Sequence, residues 1–194
     1  MKITSNLVGY FLTIFFLHAC TPASIVATSG GSAMVIAEGD RSMGSVIDDA
    51  TIKVNIAAKF ISSEDNLFVD VSTTVLNGRV LLTGLVDTQE IRIDAVRRVW
   101  EVEGVQEVIN EIQIGNRGTL KEYANDLWIN TQAKGLAAKA VGLRVVGYNF
   151  ETIQGKVYIA GITSRPEQLE DLIDAVKTIK GVKEIVNYVI VKEN

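Results

Sequence analysis

Apolar residues recur along this chain at two spacings that take turns, and the order of the turns is repeated. Behind Asp48-Asp49, Ile52, Ile56 and Phe60 stand four apart, which predicts an amphipathic helix with the two aspartates as its N-terminal cap and dipole partner. Val69, Val71, Thr73 and Val75 then alternate, which predicts a strand. Asn77-Gly78 follows, a pair suited to the positive φ angles of a type I′ hairpin turn, so Val80 to Leu85 is read as the returning strand. Asp87 with Glu90 has the spacing of a helix cap, and Ile91, Ala95, Val99 and Val102 form a second helical stripe. Gly104 ends that helix, and Val105 to Ile114 is a last strand.

The same order returns 77 residues later without a gap, as residues 76 to 114 pair with 153 to 191. Asn77-Gly78-Arg79-Val80 falls on Gln154-Gly155-Lys156-Val157, and Gly84 and Gly104 fall on Gly161 and Gly181. The second copy opens with a helix behind Asn125-Asp126 carrying Ile129, Ala133, Leu136 and Ala140. Alternating Val146, Tyr148, Phe150 and Thr152 come next, then a strand from Val157 to Ile162. A helix capped by Ser164 and Glu167 carries Leu169, Leu172, Ile173, Val176 and Ile179, before a strand from Val182 to Val191. A fixed offset between turns is the mark of one folding unit made twice. The expected fold is therefore α+β: two tandem αββαβ units at 46–114 and 125–194, joined by a linker at 115–124.

The N-terminal region predicts where these units work. Lys2 is followed by an apolar run of eleven residues, Leu7 to Leu17, too short to cross a hydrocarbon core of roughly 30 Å. Residues 1–19 are read as a secretion signal. Leu17-His18-Ala19-Cys20 resembles a bacterial lipobox, which implies acylation of Cys20 and anchoring by acyl chains. Thr21 in place of an aspartate implies the outer membrane. Residues 20–45, with Ser29-Gly30-Gly31-Ser32, read as the acylated cysteine and a flexible tether.

Such processing also narrows the chemistry. His18 is the only histidine and would leave with the signal, and Cys20 is the only cysteine and would carry lipid. No imidazole base or metal ligand and no thiol nucleophile would remain. The sequence carries no paired-carboxylate, Ser/Lys or phosphate-loop signature, so no catalytic residue, metal or cofactor is assigned. Nucleic acid is disfavoured as a partner because the net charge is −4 and no basic stripe with interleaved aromatics is present.

The order αββαβ, with Asn77-Gly78-Arg79-Val80-Leu81-Leu82-Thr83-Gly84 and Gly104-Val105-Gln106-Glu107-Val108-Ile109-Asn110, resembles the BON domain family. With the lipobox, Asp40-Arg41-Ser42-Met43-Gly44, Asp48-Asp49 and Asn125-Asp126-Leu127-Trp128-Ile129, the whole chain resembles the outer-membrane lipoproteins of Gram-negative bacteria that carry two BON domains. The resemblance implies a mixed three-stranded sheet with two helices packed on it in each unit. It also implies a non-enzymatic, lipid-anchored protein facing the periplasm, which supports outer-membrane integrity and binds anionic phospholipid of the phosphatidylglycerol kind through its second domain.

Comparing the copies separates scaffold from candidate function. Ile52 pairs with Ile129, but Thr51 pairs with Trp128, an amphipathic ring bordering the buried helix face. Trp128 suits a membrane or partner surface, and it equally suits the seam between the domains. From Arg117 to Arg144 there are five cations (Arg117, Lys121, Lys134, Lys139, Arg144) against Glu122 and Asp126. Basic groups at a surface gain about 1 kcal/mol each against anionic headgroups. Trp128, Thr131, Lys134, Gly135 and Ala138 are the candidates for phospholipid contact on this helix. Gly135, Ala137 and Ala138 stand where the family pattern has bulky residues. The other reading is an adaptor that docks on an envelope complex such as the outer-membrane protein assembly machinery.

Overall fold

The computed structural model describes residues 42–116 and 118–192, so the signal segment, Cys20, nearly all of the tether and Arg117 lie outside the described residues. Helix α1 spans Met43–Ile61, and Ser42 caps it by accepting the Ser45 N–H through its hydroxyl at 3.2 Å. The start precedes Asp48-Asp49 by more than a turn, so these aspartates are not its cap. Ile52, Ile56 and Phe60 form the buried face, as their spacing predicts.

A single helical turn, α2 (Leu67–Asp70), stands where the alternation suggested a strand already at Val69. Leu67 plunges into the core and turns Val69 out to solvent, so β1 begins only at Val71 and runs to Leu76. β2 (Arg79–Val86) returns antiparallel through a turn in which Asn77 and Gly78 have φ of 52° and 75°, the signature expected from their identity. Helix α3 (Gln89–Trp100) is capped by Thr88, whose hydroxyl accepts the Ile91 N–H at 3.3 Å, rather than by Asp87. It carries the chain back to β3 (Glu107–Ile114), which lies parallel to β2. β2 is thus the middle strand of a mixed three-stranded sheet.

The second domain repeats this plan. Helix α4 spans Leu120–Val141, with a full capping box formed by Thr119 and Glu122. The helix begins inside the segment 115–124 that reads from sequence as a linker, so Asn125-Asp126 lie within it and do not cap it. Its buried face is Ile129, Ala133, Ala137 and Val141, one every turn, whereas Ala140 is exposed and Leu136 only half-buried. A 3₁₀ segment (Gly142–Gly147) occupies the place where the alternation from Val146 predicts the start of a strand. β4 (Tyr148–Ile153) and β5 (Lys156–Thr163) form the hairpin. Helix α5 (Pro166–Lys177) starts two residues beyond Ser164, with Pro166 supplying a first turn that lacks one unsatisfied N–H. β6 (Glu184–Val191) closes the sheet parallel to β5.

Each sheet has two covered faces. Val80 and Leu82 in β2, and Val157 and Ile159 in β5, point to the helices of their own domain and sit in its core. Their neighbours Leu81, Ala160 and Ile162 point the other way and join Leu76 in a third apolar cluster, flanked by Ile109, Tyr188 and Ile190. The two sheets therefore meet through their helix-free faces. Burial on both sides explains why β2 and β5 are nearly continuous apolar runs.

Candidate functional site

The sheet-to-sheet seam answers where Trp128 lies. It sits on α4, on the opposite side of the second sheet from the seam, and its side chain is 46% exposed. Thr131, Lys134, Gly135 and Ala138 are exposed on the same helix. Thr131 turns its hydroxyl to the Leu127 carbonyl at 2.8 Å, and a Cβ added at Gly135 would meet nothing within 4 Å. The five candidates thus share the solvent side of one helix.

Three further residues belong to this face and escape the sequence reading. Leu120, Tyr123 and Leu127 are 83%, 68% and 56% exposed, and at about 100° per residue they fall on the side of Thr131 and Lys134. The signal for them was present, since Thr119-x-x-Glu122 is a capping box and Leu120, Tyr123 and Leu127 follow at helical spacing.

Charge is divided across α4. Lys121, Lys134 and Lys139 are exposed on or beside the apolar face. Glu122 and Asp126 fall on the inward side, and both carboxylates are engaged by backbone. Glu122 accepts the Thr119 N–H at 2.6 Å, which holds its carboxyl below the usual carboxylate range. Asp126 accepts the N–H groups of Gln154 and Gly155 at 2.6 and 2.8 Å, fastening α4 to the β4–β5 turn.

A cavity of about 620 Å³ opens beside the N-terminal half of α4, where Leu120 and Tyr123 face Val69 of the first domain. Its acidic lining is Asp70, Glu122, Asp126 and Glu151. Burial pushes the Glu151 carboxyl up, against the pull of Lys134. Among the described residues no group of three potential metal ligands exists, and no helix is long and apolar enough to cross a membrane.

Fold and site together define a tandem α+β protein whose candidate site is an exposed helix face. The family model of the BON domain matches residues 48–116 and 125–193, and the chain belongs to this family. An uncharacterized protein of the gshII 5′ region from Anaplasma centrale is 37% identical over 76% of this chain and 97% of its own length. Outer membrane lipoprotein DolP from Haemophilus influenzae is 28% identical over 88% of both chains. Osmotically-inducible protein Y from Escherichia coli is 25% identical over 96% of this chain and 95% of its own.

Proposed function

We propose that this protein is a non-enzymatic component of the bacterial envelope, held at the periplasmic face of the outer membrane by acylated Cys20, which supports membrane integrity by binding anionic phospholipid through its second BON domain. The observation that carries the reading is the exposed side of α4, where Leu127 and Trp128 stand in the open among Lys121, Lys134 and Lys139, and Leu120 and Tyr123 extend the apolar stripe toward the cavity. A helix of this kind lies in the membrane interface, its apolar side chains among acyl chains and its lysines reaching headgroups. Anchoring and location are carried from the lipobox and from the name of the lipoprotein relative.

Titrating the protein lacking residues 1–20 with phosphatidylglycerol and phosphatidylcholine micelles tests it through amide chemical shifts. Selective movement of residues 120 to 138 with phosphatidylglycerol is expected. Equal response to both lipids, or none, would sink the proposal.

The concave cavity between Val69, Leu120 and Tyr123 favours a second reading, because its acidic lining suits a protein segment better than a flat anionic bilayer. In that reading the chain is an adaptor on an envelope complex such as the outer-membrane protein assembly machinery. A photocrosslinker at position 128 in intact cells separates the two: one dominant protein adduct supports the adaptor, lipid adducts alone the phospholipid binder.

A further inference from the structure

A groove of about 450 Å³ opens between the domains, and its walls include Lys53 and Ala57 of α1, Phe68 and Val69 of α2, and Lys134 of α4. Ala57 and Lys134 are 77 positions apart, so the first helix of each domain reaches the groove at the same point of the repeat. Residues three and four apart on a helix are surface neighbours. Val54 and Ile61 therefore flank Ala57 on one bank, and Thr131 and Ala138 flank Lys134 on the other.

The two banks differ in apolar bulk. Where α4 carries Ala124, Thr131 and Ala138, α1 carries Ile47, Val54 and Ile61, and all three of the latter are exposed. Phe68 and Val69, 55% and 75% exposed, continue that apolar surface into the groove. The bulk missing from α4 at Gly135 and Ala138 thus stands on the first domain, across the groove from Lys134. A contiguous exposed apolar surface rimmed by polar groups marks a contact site.

Its charge selects the partner. Lys53 and Lys134 line the groove, and the one carboxylate among its lining residues, Glu151, is half-buried. Burial pushes that carboxyl up, while Lys134 and Lys53 both pull it down. The two carboxylates of α1, Asp48 and Asp49, line the pocket at the Asn77-Gly78 turn instead. Apolar side chains bordered by lysines suit an anionic bilayer, whose acyl region receives the former and whose headgroups attract the latter. The chain also enters the fold on this surface. Ser42, 22 residues after Cys20, caps the helix that presents Met43, Ile47, Val54 and Ile61 to solvent.

We propose that the first domain shares in membrane contact: Val54 and Ile61, with Phe68 and Val69, enter the interface of an anionic bilayer beside α4, and Lys53 and Lys134 take phospholipid headgroups at the groove between them. The inference rests on phospholipid binding by the second domain and extends the binding surface to both.

Vesicle binding by the protein lacking residues 1–20 tests it. Val54→Ser and Phe68→Ser should each weaken binding to phosphatidylglycerol vesicles by roughly fivefold to tenfold, and Lys53→Gln by about fivefold. All three positions are exposed, so the variants should melt like the parent. In the parent, which needs no substitution, phosphatidylglycerol micelles should move the amide signals of residues 53 to 61 and 68 to 69 together with those of 120 to 138. In intact cells a photocrosslinker at position 54 of the full chain should give lipid adducts. Leu127→Ser that loses binding while Val54→Ser, Phe68→Ser and Lys53→Gln bind like the parent overturns this inference and leaves the role of the second domain standing. Amide shifts confined to residues 120 to 138 do the same, as does a crosslink at position 54 to protein alone, a second copy of this chain included. A parent that does not bind phosphatidylglycerol at all overturns both.

Discussion

Asp49 and Gly78 are joined by a hydrogen bond of 2.9 Å from the glycine N–H to Oδ1, while Oδ2 of the same carboxylate accepts the Asn77 N–H at 2.8 Å. Asp126 repeats the arrangement on Gln154 and Gly155 in the second domain. Each aspartate clamps the first helix of its domain to a hairpin turn whose N–H groups have no strand partner. Asp49→Ala is expected to destabilise the protein by about 2–3 kcal/mol, since bonds to a charged acceptor are strong and Asp49 is 5% exposed. Asp126→Ala should cost about 1–2 kcal/mol, because water reaches that turn more readily. Urea denaturation of the two variants checks the order.

Trp128 should report membrane contact directly. The chain has two tryptophans, so Trp100→Phe leaves Trp128 as the only emitter. Its fluorescence should shift to the blue with phosphatidylglycerol vesicles and stay fixed with phosphatidylcholine. Leu127→Ser and Tyr123→Ser should each weaken vesicle binding by roughly tenfold, the equivalent of about 1.4 kcal/mol of lost apolar contact.

Acid should loosen the start of α4. The Thr119 N–H and hydroxyl hold the Glu122 carboxyl below its ordinary value. A depressed carboxylate contributes stability that is present above the unfolded pKa, about 4.3, and is lost as pH falls through the folded one. The amide signals of Thr119 and Glu122 should therefore titrate with a midpoint below about 4.3, and Glu122→Gln should abolish the transition.

Base should loosen the seam. Burial, with the Glu111 hydrogen bond second, pushes the Tyr188 hydroxyl up. Its contribution is fully present below the unfolded value of about 10 and is lost as pH rises from there through the folded value. Ultraviolet titration should show Tyr188 still protonated where exposed tyrosines have ionised, and Tyr188→Phe should remove that late step.

Two glycines should respond in opposite directions. Gly84 has a φ of 148°, and a Cβ there would lie 2.1 Å from the Asp70 carbonyl oxygen, so Gly84→Ala should cost several kcal/mol, on the order of other strained core changes. Gly135→Ala meets open space inside a helix and should stabilise it by about 0.8–1 kcal/mol. Thermal melts of both variants check the contrast.

By itself the sequence determined the repeat, the order αββαβ, the two hairpin turns and most of the core. These follow from local rules: a positive φ selects Asn-Gly, and a core face needs apolar residues at the period of its element. Ile52, Ile56, Phe60 and Val99 were legible for that reason. Tertiary structure decided what local rules leave degenerate. An aspartate near a helix start serves equally as a cap or as a clamp, and only the fold brought the turn at Gly78 to Asp49. Leu120, Tyr123 and Leu127 have the spacing of a helix face wherever that face points, and the packing of Ile129 and Ala133 turned them outward. The same holds for the seam, because alternation in β2 and β5 cannot say what covers the second face of a sheet. The fold placed one sheet against the other, set Glu111 on Tyr188, and left the tryptophan of α4 in the open.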